Sequence, residues 1–85
     1  MSYFVYLLKS ITPGVNKTYA GYSSDVQKRL IKHNSNTGAK STRGYKWKII
    51  YSKRYKTKSN AMRNEYLLKK DLRKRNQIKS DFIKI

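Results

Sequence analysis

Tyr3-Phe4-Val5-Tyr6-Leu7-Leu8-Lys9 is an apolar, aromatic run ahead of a Pro13-Gly14 turn, and Lys17-Thr18-Tyr19-Ala20-Gly21-Tyr22 follows that turn. Aromatic and β-branched residues bounded by turn formers read as strands, so the two stretches predict a hairpin with a long loop. Ser24-Asp25-Val26-Gln27 has the form of a capping box, which predicts a helix from Ser24 to about Asn34. Ser35-Asn36-Thr37-Gly38 ends that helix, and a polar loop runs from Thr37 to Gly44 into a third strand, Trp47 to Tyr55. Thr57 or Ser59 can cap a second helix that continues through Lys74, and Lys79 to Ile83 adds a short third one. The expected fold is α+β: a small three-stranded antiparallel sheet flanked by helices, in the order β-β-α-β-α with a short C-terminal helix. Residues 1–85 form a single domain, with no internal repeat and no linker.

Composition narrows the function. Twenty-one Lys plus Arg face four Asp plus Glu, a net charge of +17. Lys9 and Lys17 are the only cations before Asp25, and no acid stands between Val26 and Asn64. Such a field attracts polyanions, and the interleaved Tyr45, Trp47, Tyr51 and Tyr55 favour nucleic acid over a membrane surface. Cysteine is absent and His33 is the sole histidine, so disulfide frameworks and Cys-based zinc sites are excluded. The apolar stretch Tyr3 to Leu8 is far shorter than the roughly 20 residues of a membrane span, so a soluble, cytoplasmic protein without a membrane partner is expected.

Glu65 is the only glutamate. At about 100° per residue it falls at the edge of a stripe roughly 60° wide that holds Ala61, Leu68 and Leu72. A carboxylate beside core-facing side chains needs compensation for lost hydration. Either it pairs with a cation at the rim, or it is a ligand for a hard divalent ion completed by water and phosphate oxygens. On the first helix Arg29 and His33 stand one turn apart on one face, bordering Val26 and Leu30 rather than the watery side. Tyr6 and Tyr19 complete the set of candidate residues, although strand tyrosines commonly serve the core.

Taken together these residues resemble a known family. Phe4-Val5-Tyr6 and then Tyr19-Ala20-Gly21 are similar to the paired tripeptides of the GIY-YIG nucleases. Arg29-x-x-x-His33-Asn34, Gly38-Ala39-Lys40-Ser41-Thr42-Arg43, the Trp47 to Tyr51 strand, and Glu65 with Leu68-Lys69-Lys70 follow in that family's order. The similarity spans about residues 3 to 75 and is greatest to small stand-alone bacterial members and to the catalytic domain of branched-DNA-cleaving members. Phe4 replaces a glycine of the first tripeptide and Ala20 an isoleucine of the second, which read as packing changes. Gly21 is expected to serve either a positive φ or a close backbone approach. No zinc-binding extension or DNA-recognition domain accompanies the motifs, so target selection stays open.

The resemblance implies metal-dependent hydrolysis of a DNA phosphodiester, leaving a 5′ phosphate and a 3′ hydroxyl, with shape, such as branches or flaps, one open basis for choosing targets. In the favoured form of that scheme Tyr6 is the general base, helped by nearby positive charge, with Tyr19 hydrogen-bonded to it or to the scissile phosphate, and the order of the two tyrosines stays open. Arg29 grips the phosphate, His33 orients a tyrosine hydroxyl or the water, and Glu65 holds one Mg2+ or Mn2+. Lys40, Arg43 and Lys46 are the expected contacts to the DNA backbone. RNA as a substrate, a guiding protein partner and self-association remain open. The competing readings are a non-catalytic nucleic-acid-binding module with the same fold, and a small RNA-associated protein.

Overall fold

The structure, a computed structural model, describes residues 2–83. Its elements are β1 (Tyr3–Ser10), β2 (Thr18–Ser23), α1 (Val26–Asn34), a short 3₁₀ turn (Lys40–Thr42), β3 (Trp47–Tyr55), α2 (Lys58–Lys70) and α3 (Leu72–Ile83). The strands form one three-stranded antiparallel sheet, as the sequence predicts, in the order β2-β1-β3.

The central place of β1 explains why its apolar run does not alternate with polar residues. Successive side chains point to opposite faces, and both faces are covered. Val5 and Leu7 pack with Ala20, Ala61 and Leu68 on the face that carries α2. Tyr6 and Leu8 pack with Trp47 on the other face, against Val26 and Leu30 of α1. Leu7 pairs with Tyr51 but Leu8 with Ile49, so Ile50 is an extra residue in β3. This bulge brings Ile50 and Tyr51 together onto the α2 face.

Three local expectations are corrected. The N-cap of α1 is Asp25, not Ser24: its carboxylate accepts from the Lys28 amide at 3.0 Å, where the positive end of the helix favours an anion. The second helix does not continue through Lys74. It stops at Lys70, because Asp71 leaves the helical conformation and its side chain accepts from the Lys74 amide at 2.9 Å, capping a new helix. Leu72 therefore leaves the predicted stripe and is 60% exposed. The expected short helix at Lys79–Ile83 is the end of α3, which begins at Leu72 and packs Ile78 against the α2-side core.

Asn34, the last residue of α1, ties that helix to the sheet. Its side chain accepts from the Trp47 amide at 2.6 Å and donates to the Trp47 carbonyl at 3.1 Å, standing in for a strand neighbour at the start of β3. The loop between them is more ordered than its polar composition predicts. Thr42 is buried within it, and Asn36, at φ 63, accepts from the Gly44 amide.

Candidate active site

Tyr6 is the centre of the site, and the sheet register sets its direction. Its cross-strand partner on β2 is Gly21. A Cβ on Gly21 would lie 2.5 Å from the Tyr6 hydroxyl oxygen and 3.1 Å from a Tyr19 ring carbon. The phenol thus occupies the space that a side chain on its partner would fill. Of the two roles expected of Gly21, close approach is the one realised; only Gly14 and Gly44 have positive φ among the described glycines.

Helix α1 brings His33 behind Tyr6. The imidazole is fully buried, with Nε2 3.2 Å from the Tyr6 hydroxyl and Nδ1 2.9 Å from Thr42 Oγ1. The Tyr19 ring lies 4.8 Å from the imidazole, centroid to centroid, and 6.5 Å from the Tyr6 ring. One turn before His33, Arg29 is half-buried, and its Nε is enclosed with no hydrogen-bond partner. A buried donor left unmade is destabilising and marks a place where an acceptor can be taken up.

Helix α2 packs on β1 and β2 and delivers Glu65 from the other side of the sheet. Its side chain is 15% exposed, and Oε1 is paired with Lys69 Nζ at 2.7 Å, one helical turn on. Tyr6, Tyr19, Gly21, Arg29 and Glu65 line one cleft of about 390 Å³, together with Lys58. Glu65 thus has the cation partner that one reading expects, and it lines the cleft with the two tyrosines and the arginine. A larger cleft of about 490 Å³, lined by Val5, Tyr51, Tyr55 and Leu67 among others, contains none of these residues.

Burial dominates the proton affinities. It holds the Tyr6 phenol above the usual tyrosine value, against the pull of the neighbouring Arg29 guanidinium. The positive charge expected beside Tyr6 is present as Arg29, but burial outweighs it. Burial first, and then the charge of Arg29, lowers His33 below the ordinary imidazole value, so that it is neutral at pH 7. Lys69 is raised by its hydrogen bond to Glu65.

The cleft lining includes a single carboxylate, and among the described residues no group of three or more His, Cys, Asp or Glu converges on a metal position. That donor set suits a hard divalent ion that keeps water and takes phosphate oxygens, and does not suit one needing an all-protein cage. Glu65 is the residue that could hold it.

Lys40, Arg43 and Lys46 are exposed and none lines the cleft; Lys46 donates instead to the Asn34 carbonyl at 3.0 Å. Their loop nevertheless borders a second cleft of about 330 Å³, where Ser41 lies with Tyr19, Lys69 and Arg75. Lys58, Lys69 and Arg75 are thus cations at the site that the sequence reading misses. Lys69 had a signal, its one-turn spacing from Glu65, whereas Arg75 was hidden by the unrecognised break at Asp71. Gly38 and Thr42 were also missed as His33 contacts; a Cβ on Gly38 would lie 2.5 Å from His33 Nδ1. Among the described residues no helix is long and apolar enough to cross a membrane.

Comparison with known proteins identifies the family. The family model of the GIY-YIG catalytic domain matches residues 2–79. A UPF0213 protein of Bacillus pumilus is 38% identical over 78 residues, covering 91% of this chain and 76% of its own length. A UPF0213 protein of Staphylococcus epidermidis is 40% identical over 68 residues, covering 79% of each. The solution structure of the UPF0213 protein BH0048 from Bacillus halodurans superimposes with a TM-score of 0.52 at 36% identity, covering 94% of this chain and 84% of that one. Because the matched family model spans nearly the whole chain, the chain belongs to the GIY-YIG nuclease family.

Proposed function

We propose that the protein is a metal-dependent endonuclease that hydrolyses DNA phosphodiester bonds, with targets selected by shape. One observation carries the reading: a guanidinium with an enclosed, unpartnered Nε and the only glutamate of the chain face the same small cleft as a phenol backed by a neutral imidazole.

Each group has a part in such a reaction. Arg29 offers a planar fork to the scissile phosphate, and its orphaned Nε gains the acceptor it lacks. As charge grows on the phosphate oxygens, the guanidinium stabilises it in a partly dehydrated cleft. Tyr6 stays protonated in the free protein, so it acts as a base only by relay. Its oxygen takes a proton from the attacking water while its own proton passes to His33 Nε2, leaving an imidazolium and a neutral phenol. Tyr19, lining the same cleft, is placed to hydrogen-bond the phosphate. A magnesium or manganese ion held by Glu65 would supply Lewis-acid stabilisation at the leaving oxygen.

The second cleft suggests the path of the strand. Lys69 and Arg75 lie beyond Tyr19, with Lys40 and Arg43 on the adjoining loop, and backbone contacts of this kind position a nucleic acid without reading its sequence. The test is incubation of the purified protein with linear, nicked and branched DNA and with RNA, in magnesium or in EDTA. Metal-dependent cleavage of DNA with 5′ phosphate ends is the expected result; binding without cleavage under any of these conditions would leave the non-catalytic module as the correct reading.

A further inference from the structure

We propose that Thr42 is a positioning residue that sets the tautomer of His33, and through it the direction in which the Tyr6 proton can move. The inference comes from counting protons along one buried chain of contacts. Thr42 Oγ1 lies 2.8 Å from the Ala39 carbonyl oxygen, which can only accept. The single hydroxyl proton of Thr42 is committed there. What Thr42 presents to His33 Nδ1, at 2.9 Å, is therefore a lone pair, so Nδ1 carries the imidazole proton. In a neutral ring the other nitrogen is then an acceptor. At 3.2 Å from Nε2, the Tyr6 hydroxyl must donate.

The chain is held at each link. Thr42 is fully buried, its amide donates to Ala39 and its carbonyl accepts from the Trp47 indole at 3.0 Å. Gly38 lies so close to the ring that a Cβ there would be 2.5 Å from Nδ1, so only a residue without a side chain admits the imidazole in this position. With the opposite tautomer, Nε2–H would point at the Tyr6 oxygen and the phenolic proton would be turned out into the cleft. Tyr6 could then no longer hand its proton inward while taking one from water. That catalytic consequence rests on the nuclease reading; the tautomer itself rests on geometry alone.

His33 is the only histidine, so its two ring nitrogens can be read without ambiguity by long-range nitrogen–proton correlation NMR on the uniformly labelled protein. Wild type should show a protonated Nδ1 and an unprotonated Nε2 at neutral pH. Thr42→Val keeps the shape but removes the lone pair; it should lose that pattern and lower kcat on DNA by about 10²-fold with KM little changed. Thr42→Ser should retain both the tautomer and the rate. An Nε2–H tautomer in wild type overturns the proposal whatever the cleavage assay gives, and so does a folded Thr42→Val protein with the wild-type tautomer or rate. If Thr42→Val fails to fold, the wild-type and Thr42→Ser spectra still decide. A wild-type protein with the expected tautomer but no cleavage would remove the nuclease reading and leave the assignment of Thr42 to the tautomer standing.

Discussion

Replacing Gly21 with alanine should disable the site and loosen the fold through one clash. The backbone at Gly21 lies outside the left-handed region, so the penalty is not conformational. It comes from the new methyl group, placed 2.5 Å from the Tyr6 hydroxyl oxygen and 2.6 Å from its ring carbon Cζ. Ordinary contact needs about 3.5 Å, so the phenol must retreat by roughly 1 Å. A hydroxyl displaced by that much cannot keep the 3.2 Å Tyr6–His33 geometry. Overpacking contributes about 1–3 kcal/mol, and an unmade hydrogen bond between two buried groups about 1–3 kcal/mol more. Even about 2 kcal/mol lowers the Tm of a domain of this size by roughly 8–16 °C. A shift of about 1 Å at a catalytic group also lowers turnover by about 10²-fold. Thermal unfolding and single-turnover cleavage of Gly21→Ala measure the two effects. A variant with wild-type Tm and an unchanged His33 NMR signature would show that the phenol does not lie over Gly21, and the geometry of the site would have to be abandoned.

Other outcomes follow from the same geometry. Glu65→Ala and Arg29→Ala should abolish cleavage while DNA binding persists in gel-shift assays; undiminished cleavage removes the residue from the reaction. Neutralising Lys40 with Arg43, or Lys69 with Arg75, should flatten the dependence of log Kd on log salt by about one unit or more per pair, and an unchanged slope excludes that path. Lys69→Met frees a Glu65 oxygen, so manganese affinity measured by calorimetry should rise severalfold; a fall would mean that Lys69 supports the ion rather than competing with it. The His33 pKa is depressed on folding, so stability from its neutral form is complete above its unfolded value near 6.5 and is lost as the pH falls through the folded value. The Tyr6 pKa is raised, so its contribution is complete below about pH 10 and is lost as the pH rises through the folded value. Tm measured from pH 4 to pH 11 should decline at both ends, and His33→Gln should flatten the acid limb.

Strands were the most legible part of the chain because their signal is local. The run from Tyr3 is apolar on both faces and belongs in the middle of a sheet, and β3 spans Trp47–Tyr55 as the sequence reading places it. Helix ends were less legible, since Ser24 and Asp25 are both good caps and only the Lys28 contact decides between them. At Asp71 a side chain that competes with the backbone won against a helical periodicity running on through Lys74, and the stripe that drew attention to Glu65 was right for Ala61 and Leu68 and wrong for Leu72. For the site, Arg29 and His33 were legible from their spacing along α1. Thr42, Gly38 and Arg75 were not, because what qualifies each is a neighbour distant in sequence rather than a pattern around it.

The sheet also explains why so small a chain can assemble five such residues. His33 comes from the α1 face and Glu65 from α2 on the other, and a three-stranded sheet would ordinarily keep the two apart. Arg29 of α1 and Glu65 of α2 nevertheless line one cleft, which His33 meets through the Tyr6 hydroxyl, because β2 is an edge strand, because Tyr6 lies across it opposite a residue with no side chain, and because α2 covers the same strand from behind. The phenol is the bridge: its ring belongs to the α1-side core and its hydroxyl reaches the cleft that Glu65 lines. Burial needed for stability and the position needed for chemistry are therefore one packing arrangement. In a domain with little core to spare, this couples the two properties more tightly than in a larger protein. Substitutions that move the Tyr6 ring should lower both together, while those at Arg29 and Glu65, which only line the cleft, should separate them.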